Sequence, residues 1–165
     1  MNPIHAILAL SLAAAPGFAP AHSEGDHAKR PTVNKLSAEE YPFGRQGDPR
    51  KARRTINVGM SDAMRFTPGE IVVKSGETVK FVVRNGGKAM HEMVIGTDEE
   101  LRKHADMMKK HPGMEHDEPN MAHVKPGAKG EITWTFTNPG TYMYGCLIPG
   151  HFEAGMKGTI KVVAK

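Results

Sequence analysis

At 165 residues the chain has room for one folded domain with tails. With 39% apolar residues, 18 glycines and 12 prolines, it suits a compact, loop-rich β domain and excludes a coiled coil or wholesale disorder. A net charge of +4 and a 6% aromatic content argue against a nucleic-acid partner, and a single cysteine excludes an internal disulfide.

The first 21 residues differ from the rest. Ile4 to Ala15 is a short apolar run, and Ala19-Pro20-Ala21 has the small-x-small form of a cleavage site. This predicts a signal peptide over 1–21, a mature N-terminus at His22 and export to the periplasm. The leader carries no Lys or Arg, so its only fixed positive charge is the terminal amine; an upstream start would supply the missing charge. The run is far shorter than the ~20 residues a bilayer requires, so no stable membrane insertion is expected after cleavage.

Residues 22–52 are polar, with little apolar periodicity, and read as a flexible arm. At its end Arg50-Lys51-Ala52-Arg53-Arg54 forms the one dense basic cluster, either a solvated linker or a docking patch for an acidic partner. From residue 53 to 165 the texture is that of one domain. Short β-like runs cover Thr55–Val58, Glu70–Lys74, Thr78–Arg84, His91–Ile95, Glu131–Thr137, Thr141–Cys146 and Gly158–Val163. Turn signals such as Pro68-Gly69, Asn85-Gly86-Gly87 and Asn138-Pro139-Gly140 separate them. Ile132, Trp134 and Phe136 share one face of their strand, as do Tyr142, Tyr144 and Cys146. An all-β sandwich or barrel follows.

One segment breaks this pattern. Thr97-Asp98-Glu99-Glu100 fits a capping box, and Asp98 to His111 continues as a helix that Pro112-Gly113 stops. Leu101, His104, Met108 and His111 line one stripe of it, with Met107 beside them.

Chemistry concentrates near the C-terminus. Cys146, His151 and Met156 fall in the run Cys-Leu-Ile-Pro-Gly-His-Phe-Glu-Ala-Gly-Met, with four residues between each and the next, and His91 lies upstream in Met-His-Glu-Met. One thiolate, two imidazoles and a long axial thioether are the donor set of a blue copper ion. Cu(I) favours thiolate and thioether, Cu(II) favours imidazole, and a site built from both changes oxidation state with little ligand movement. Two alternatives stand beside this reading: an ordinary buried cysteine with satisfied histidines, and a zinc site, which does not normally use Met. A dinuclear copper centre needs two bridging cysteines and is excluded.

A second cluster runs from the helix into the segment that follows it: His104, Met107, Met108, His111, Met114, His116, Met121 and His123. Thioethers and imidazoles at i, i+3, i+4 and i+7 can converge on an additional, weaker copper ion; the same spacing describes a helix that uses Met as core filler. His22 and His27 offer an amine and imidazoles for Cu(II) at the mature terminus.

Residues from about 53 to 165 resemble a cupredoxin, the small blue-copper β-sandwich family. The stretch from Phe66 to Asn85 resembles the family's approach to its first His ligand. The Cys-x4-His-x4-Met loop is similar to that of rusticyanin and longer than the plastocyanin or azurin loops. The resemblance implies a Greek-key sandwich of seven or eight strands with one short helical Met/His-rich insertion. It implies His91, Cys146 and His151 as equatorial copper ligands and Met156 as the axial one. Asn85 would brace the ligand loop, and the Glu92 amide would donate to the Cys146 sulfur. Glu92 departs from the small polar residues of several members; its carboxylate points either toward copper, lowering the potential, or to solvent. In such proteins the second His reaches the surface within an apolar ring. Leu147, Ile148, Pro149 and Phe152 could form that ring around His151 for a redox or copper-handling partner, or pack as an ordinary loop.

The whole arrangement resembles periplasmic cupredoxins of copper tolerance. The function expected is a monomeric, redox-active copper protein in copper homeostasis. The alternative is a small electron carrier between redox partners. An oxidase or reductase fits least, because one cysteine in one small domain leaves no second catalytic copper.

Overall fold

The computed structural model describes residues 36–112, 114 and 116–165. The expected signal peptide, His22 and His27 lie outside the described residues. In chain order the strands are β1 (Glu40–Tyr41), β2 (Gly44–Gln46), β3 (Arg54–Ser61), β4 (Arg65–Thr67), β5 (Glu70–Lys74) and β6 (Thr78–Asn85). Then come β7 (His91–Gly96), the helix α1 (Asp98–Lys110), β8 (Met121–Val124), β9 (Lys129–Phe136), β10 (Gly140–Gly145) and β11 (Lys157–Val163). One sheet runs β1-β2-β9-β6-β3-β4, the other β5-β11-β10-β7-β8. β3 pairs with β6, and β5 with β11, in parallel; the other pairs are antiparallel. This is an all-β sandwich with, among the described residues, a single α-helix.

Alternation builds the core between the sheets. Val79, Phe81 and Val83 of β6, Ile132, Trp134 and Phe136 of β9, and Ile160 and Val162 of β11 all turn inward. Fully burying side chains of this size stabilises the fold by about 1.5–3 kcal/mol each. β7 is exceptional: all six of its residues are buried. Its inner face, with Met93 and Ile95, joins the main core, while Val94 on the outer face packs with Leu101 and Ala105 of α1. The helix therefore covers the strand that begins with His91.

All seven expected strands form, with ends shifted by a few residues, and four more, β1, β2, β4 and β8, join them. The arm expected over 22–52 is folded from Glu40 onward. The reason is Phe43, fully buried and stacked on Trp134 with ring centroids 5.1 Å apart, which holds β2 against β9. The capping box on α1 is present: Thr97 Oγ1 accepts from the Glu100 N–H, and the Glu100 carboxylate accepts from the Thr97 N–H at 2.9 Å. The buried stripe of the helix differs from expectation. It consists of Leu101, Ala105 and Met108, while His111 is exposed and Met107 is 40% exposed. Among the described residues no helix is long and apolar enough to cross a membrane.

Candidate metal centre

Two strands bring the donors together. Period-two alternation puts His91 on the inner face of β7 with Met93 and Ile95, and Cys146, one residue past β10, on the face of Tyr142 and Tyr144. Antiparallel pairing of the two strands, with Gly145 opposite Val94, sets the end of β10 beside the start of β7. The chain then loops through His151 and returns. The Met156 N–H donates to the His151 carbonyl and the Cys146 N–H to the Met156 carbonyl, each at 3.0 Å. Gly150 and Gly155, at φ of 89° and 93°, take left-handed turns that an L side chain rarely adopts.

The result is a converging set. His151 Nδ1 lies 3.3 Å from both Cys146 Sγ and His91 Nδ1, and one donor atom from each residue falls within 4.8 Å of the others. Cys146, His91 and Met156 are fully buried, and His151 is partly exposed. Burial pushes the Cys146 thiol up to about 12, an effect the backbone N–H groups of Glu92 and Ile148 partly oppose. A thiol so placed keeps its proton until a metal displaces it. Burial, and then the neighbouring His91, lower His151, which favours the neutral imidazole that binds metals.

Around the donors are residues that aim them. Asp62 Oδ1 lies 3.0 Å from His91 Nε2, so the other ring nitrogen is the one facing Cys146 and His151. The Lys88 and Ala89 N–H groups donate to the same carboxylate and, ahead of His91, hold it below the usual carboxylate range. Asp62 was not singled out in the sequence. Replacing it with Ala is expected to weaken copper binding about 10–100-fold, measured by chelator competition. Asn85, buried, donates to the Ala89 and Val124 carbonyls at 2.8 and 2.9 Å and accepts the Gly87 N–H at 2.9 Å. It braces the segment leading to His91.

Glu92 points neither to solvent nor to the donors. It is on the outer face of β7, directly opposite His123 of β8. One carboxylate oxygen accepts the Leu147 N–H at 2.8 Å; the other meets His123 Nδ1 at 2.9 Å. Burial raises its affinity for a proton, while the Leu147 N–H and His123 favour the carboxylate.

The eight Met and His residues of the insertion do not form one set. Met121 is core filler against Val94 and Leu101, and Met107 and His111 face solvent. His123 is tied to Glu92 and, through Nε2, to the His116 carbonyl at 3.0 Å. His104 packs at a tilt against His116 with ring centroids 4.7 Å apart, and burial, then that neighbour, lower its affinity for a proton. Met108, Met114, His116 and His123 share one cleft with Met90, which the sequence reading did not include. The apolar ring expected around His151 is also incomplete. Leu147 and Phe152 are buried against Val94, Leu101 and Ala105, which leaves Ile148 partly exposed and Pro149 exposed.

The donor set suits copper: a buried thiol and two imidazoles meet at one point, with a thioether in the same closed loop. Comparison with known proteins agrees. The model of "copper binding proteins, plastocyanin/azurin family" matches residues 53–163. A copper-resistant cuproprotein, CopI, from Rubrivivax gelatinosus is 47% identical over 137 residues, 83% of each chain. A CopI from Vibrio cholerae is 33% identical over 162 residues, 94% of this chain and 96% of that one. Among solved structures, the reduced auracyanin of Roseiflexus castenholzii superimposes with a TM-score of 0.59 at 27% identity, covering 68% of this chain and 98% of the other. Fold, donor chemistry and sequence thus agree, and the chain belongs to the plastocyanin/azurin family of copper-binding proteins, the cupredoxins.

Proposed function

We propose that this protein is an exported, periplasmic cupredoxin that binds copper in the service of copper tolerance. His91, Cys146 and His151 are its equatorial ligands and Met156 its axial one. The observation that carries the reading is the convergence of the three equatorial donors within 4.8 Å. The tolerance role is supported by the relatives named copper-resistant cuproproteins, matched over 83% and 96% of their own lengths. Bound copper supplies a one-electron redox couple. The chain's own residues orient the imidazoles, keep water from the buried thiol and leave only His151 near the surface. Such a site holds copper and exchanges electrons with a partner near His151, Ile148 and Pro149.

The test is an optical titration of the purified chain with Cu(II). An intense visible thiolate-to-copper band saturating at one equivalent is the expected result. Copper uptake with no such band would remove Cys146 from the ligand set. The role is tested separately, by growth on copper of a strain lacking the gene. Rescue by the wild-type chain and not by a Cys146→Ala variant is expected, whereas tolerance without the gene would favour the electron-carrier reading.

A further inference from the structure

Beside the cupredoxin centre lies a cleft of about 590 Å³ that its four ligands do not use. Met90, Met108, Met114 and His116 line it together with Ile148 and Pro149 of the ligand loop. Three thioethers come from three places: the residue before β7, the helix α1, and the segment between α1 and β8. Packing accounts for Met108, which is nearly buried, but not for Met90 and Met114, which are 39% and 42% exposed. A thioether that only fills space belongs inside a core.

His116 adds an independent observation. Both its ring nitrogens are buried and lack a hydrogen-bond partner among the described residues. An unsatisfied buried polar group is costly, and a metal ion held at one of these nitrogens satisfies that nitrogen. The His104 ring packs at a tilt against that of His116, centroids 4.7 Å apart. The other titratable groups lining the cleft are Glu92, engaged by Leu147 and His123, His123 itself, and the exposed Asp117.

We propose that this cleft is a second metal site, one that binds Cu(I) through the thioethers of Met90, Met108 and Met114 and the imidazole of His116. The chemistry selects the ion. Thioether is a soft ligand that takes Cu(I) and discriminates against the harder cations bound by carboxylate, carbonyl and water. Met90 and Met114, both partly exposed, leave the cleft open to an ion from solvent. The site is separate from the cupredoxin ligands, so it stands or falls independently of their assignment.

The experiment uses the full chain, labelled with ¹³C in its methionine methyls and titrated with Ag(I), the diamagnetic, redox-inert substitute for Cu(I). Met90, Met108 and Met114 resonances, assigned by single replacements with Leu, are expected to shift together and saturate at one common equivalent. His116→Ala should weaken that step at least tenfold. Met156 reports on the cupredoxin centre in the same spectra, so failure of one site is read apart from failure of the other. Static resonances for the three cleft methionines, or shifts at three unrelated Ag(I) concentrations, would overturn the proposal. Competition with a Cu(I) chelator checks the same count, one equivalent fewer being expected for the M90L/M114L variant than for wild type. An unchanged count would overturn it as well.

Discussion

Replacing Cys146 with Ala is expected to abolish the intense visible band of the copper-loaded protein while leaving copper bound. Cys146 is the only sulfur of its kind in the chain, so no other thiolate can supply the charge transfer. The remaining donors, His91 and His151, still face one another with Nδ1 atoms 3.3 Å apart. They should hold Cu(II) as a weakly coloured, nitrogen-ligated ion. Losing one buried sulfur atom leaves a small gap at the edge of the core, costing roughly 1–2 kcal/mol by analogy with other buried deletions. The variant should fold. Visible absorption and metal analysis on the same sample make the measurement, and a retained intense band would eliminate Cys146 as a ligand.

Copper loading is expected to raise the melting temperature by roughly 12–20 °C. The donors belong to separate elements, β7 and the loop that follows β10, so an ion held by both favours only the folded chain. Free copper at about a thousand times its dissociation constant adds about 4 kcal/mol to folding. For a domain of this size each kcal/mol moves the midpoint by roughly 3–5 °C. Scanning calorimetry of apo and loaded protein gives the value, and Cys146→Ala should show a clearly smaller rise. Equal midpoints with and without copper would mean that the metal is not held between those elements.

Strong local signals made much of this legible in the sequence. Seven strands carried alternation and turn punctuation, α1 carried a capping box, and the ligand loop had a spacing that few other chemistries require. What escaped was non-local. β1 and β2 are too short to show a period, and they exist because Phe43 finds Trp134 across the core. β8 lay hidden among residues read for their metal chemistry, although Met121 and Val124 are buried apolar positions. Asp62 reaches a histidine 29 positions away, which no spacing rule reports. The stripe on α1 went astray because periodicity places His104 and Ala105 almost equally well. The receiving surface, Val94, Leu147 and Phe152, decides for Ala105.

Glu92 gives the two copper-related regions a shared fate. Its carboxylate grips the residue after Cys146 with one oxygen and His123 with the other, and His123 in turn holds the backbone of His116. The segment bearing the cleft histidine is therefore fastened to the loop bearing the thiol through one side chain. An ion bound in one region that perturbs this link changes affinity in the other by a factor that is returned in full, because coupling free energies of binding are reciprocal.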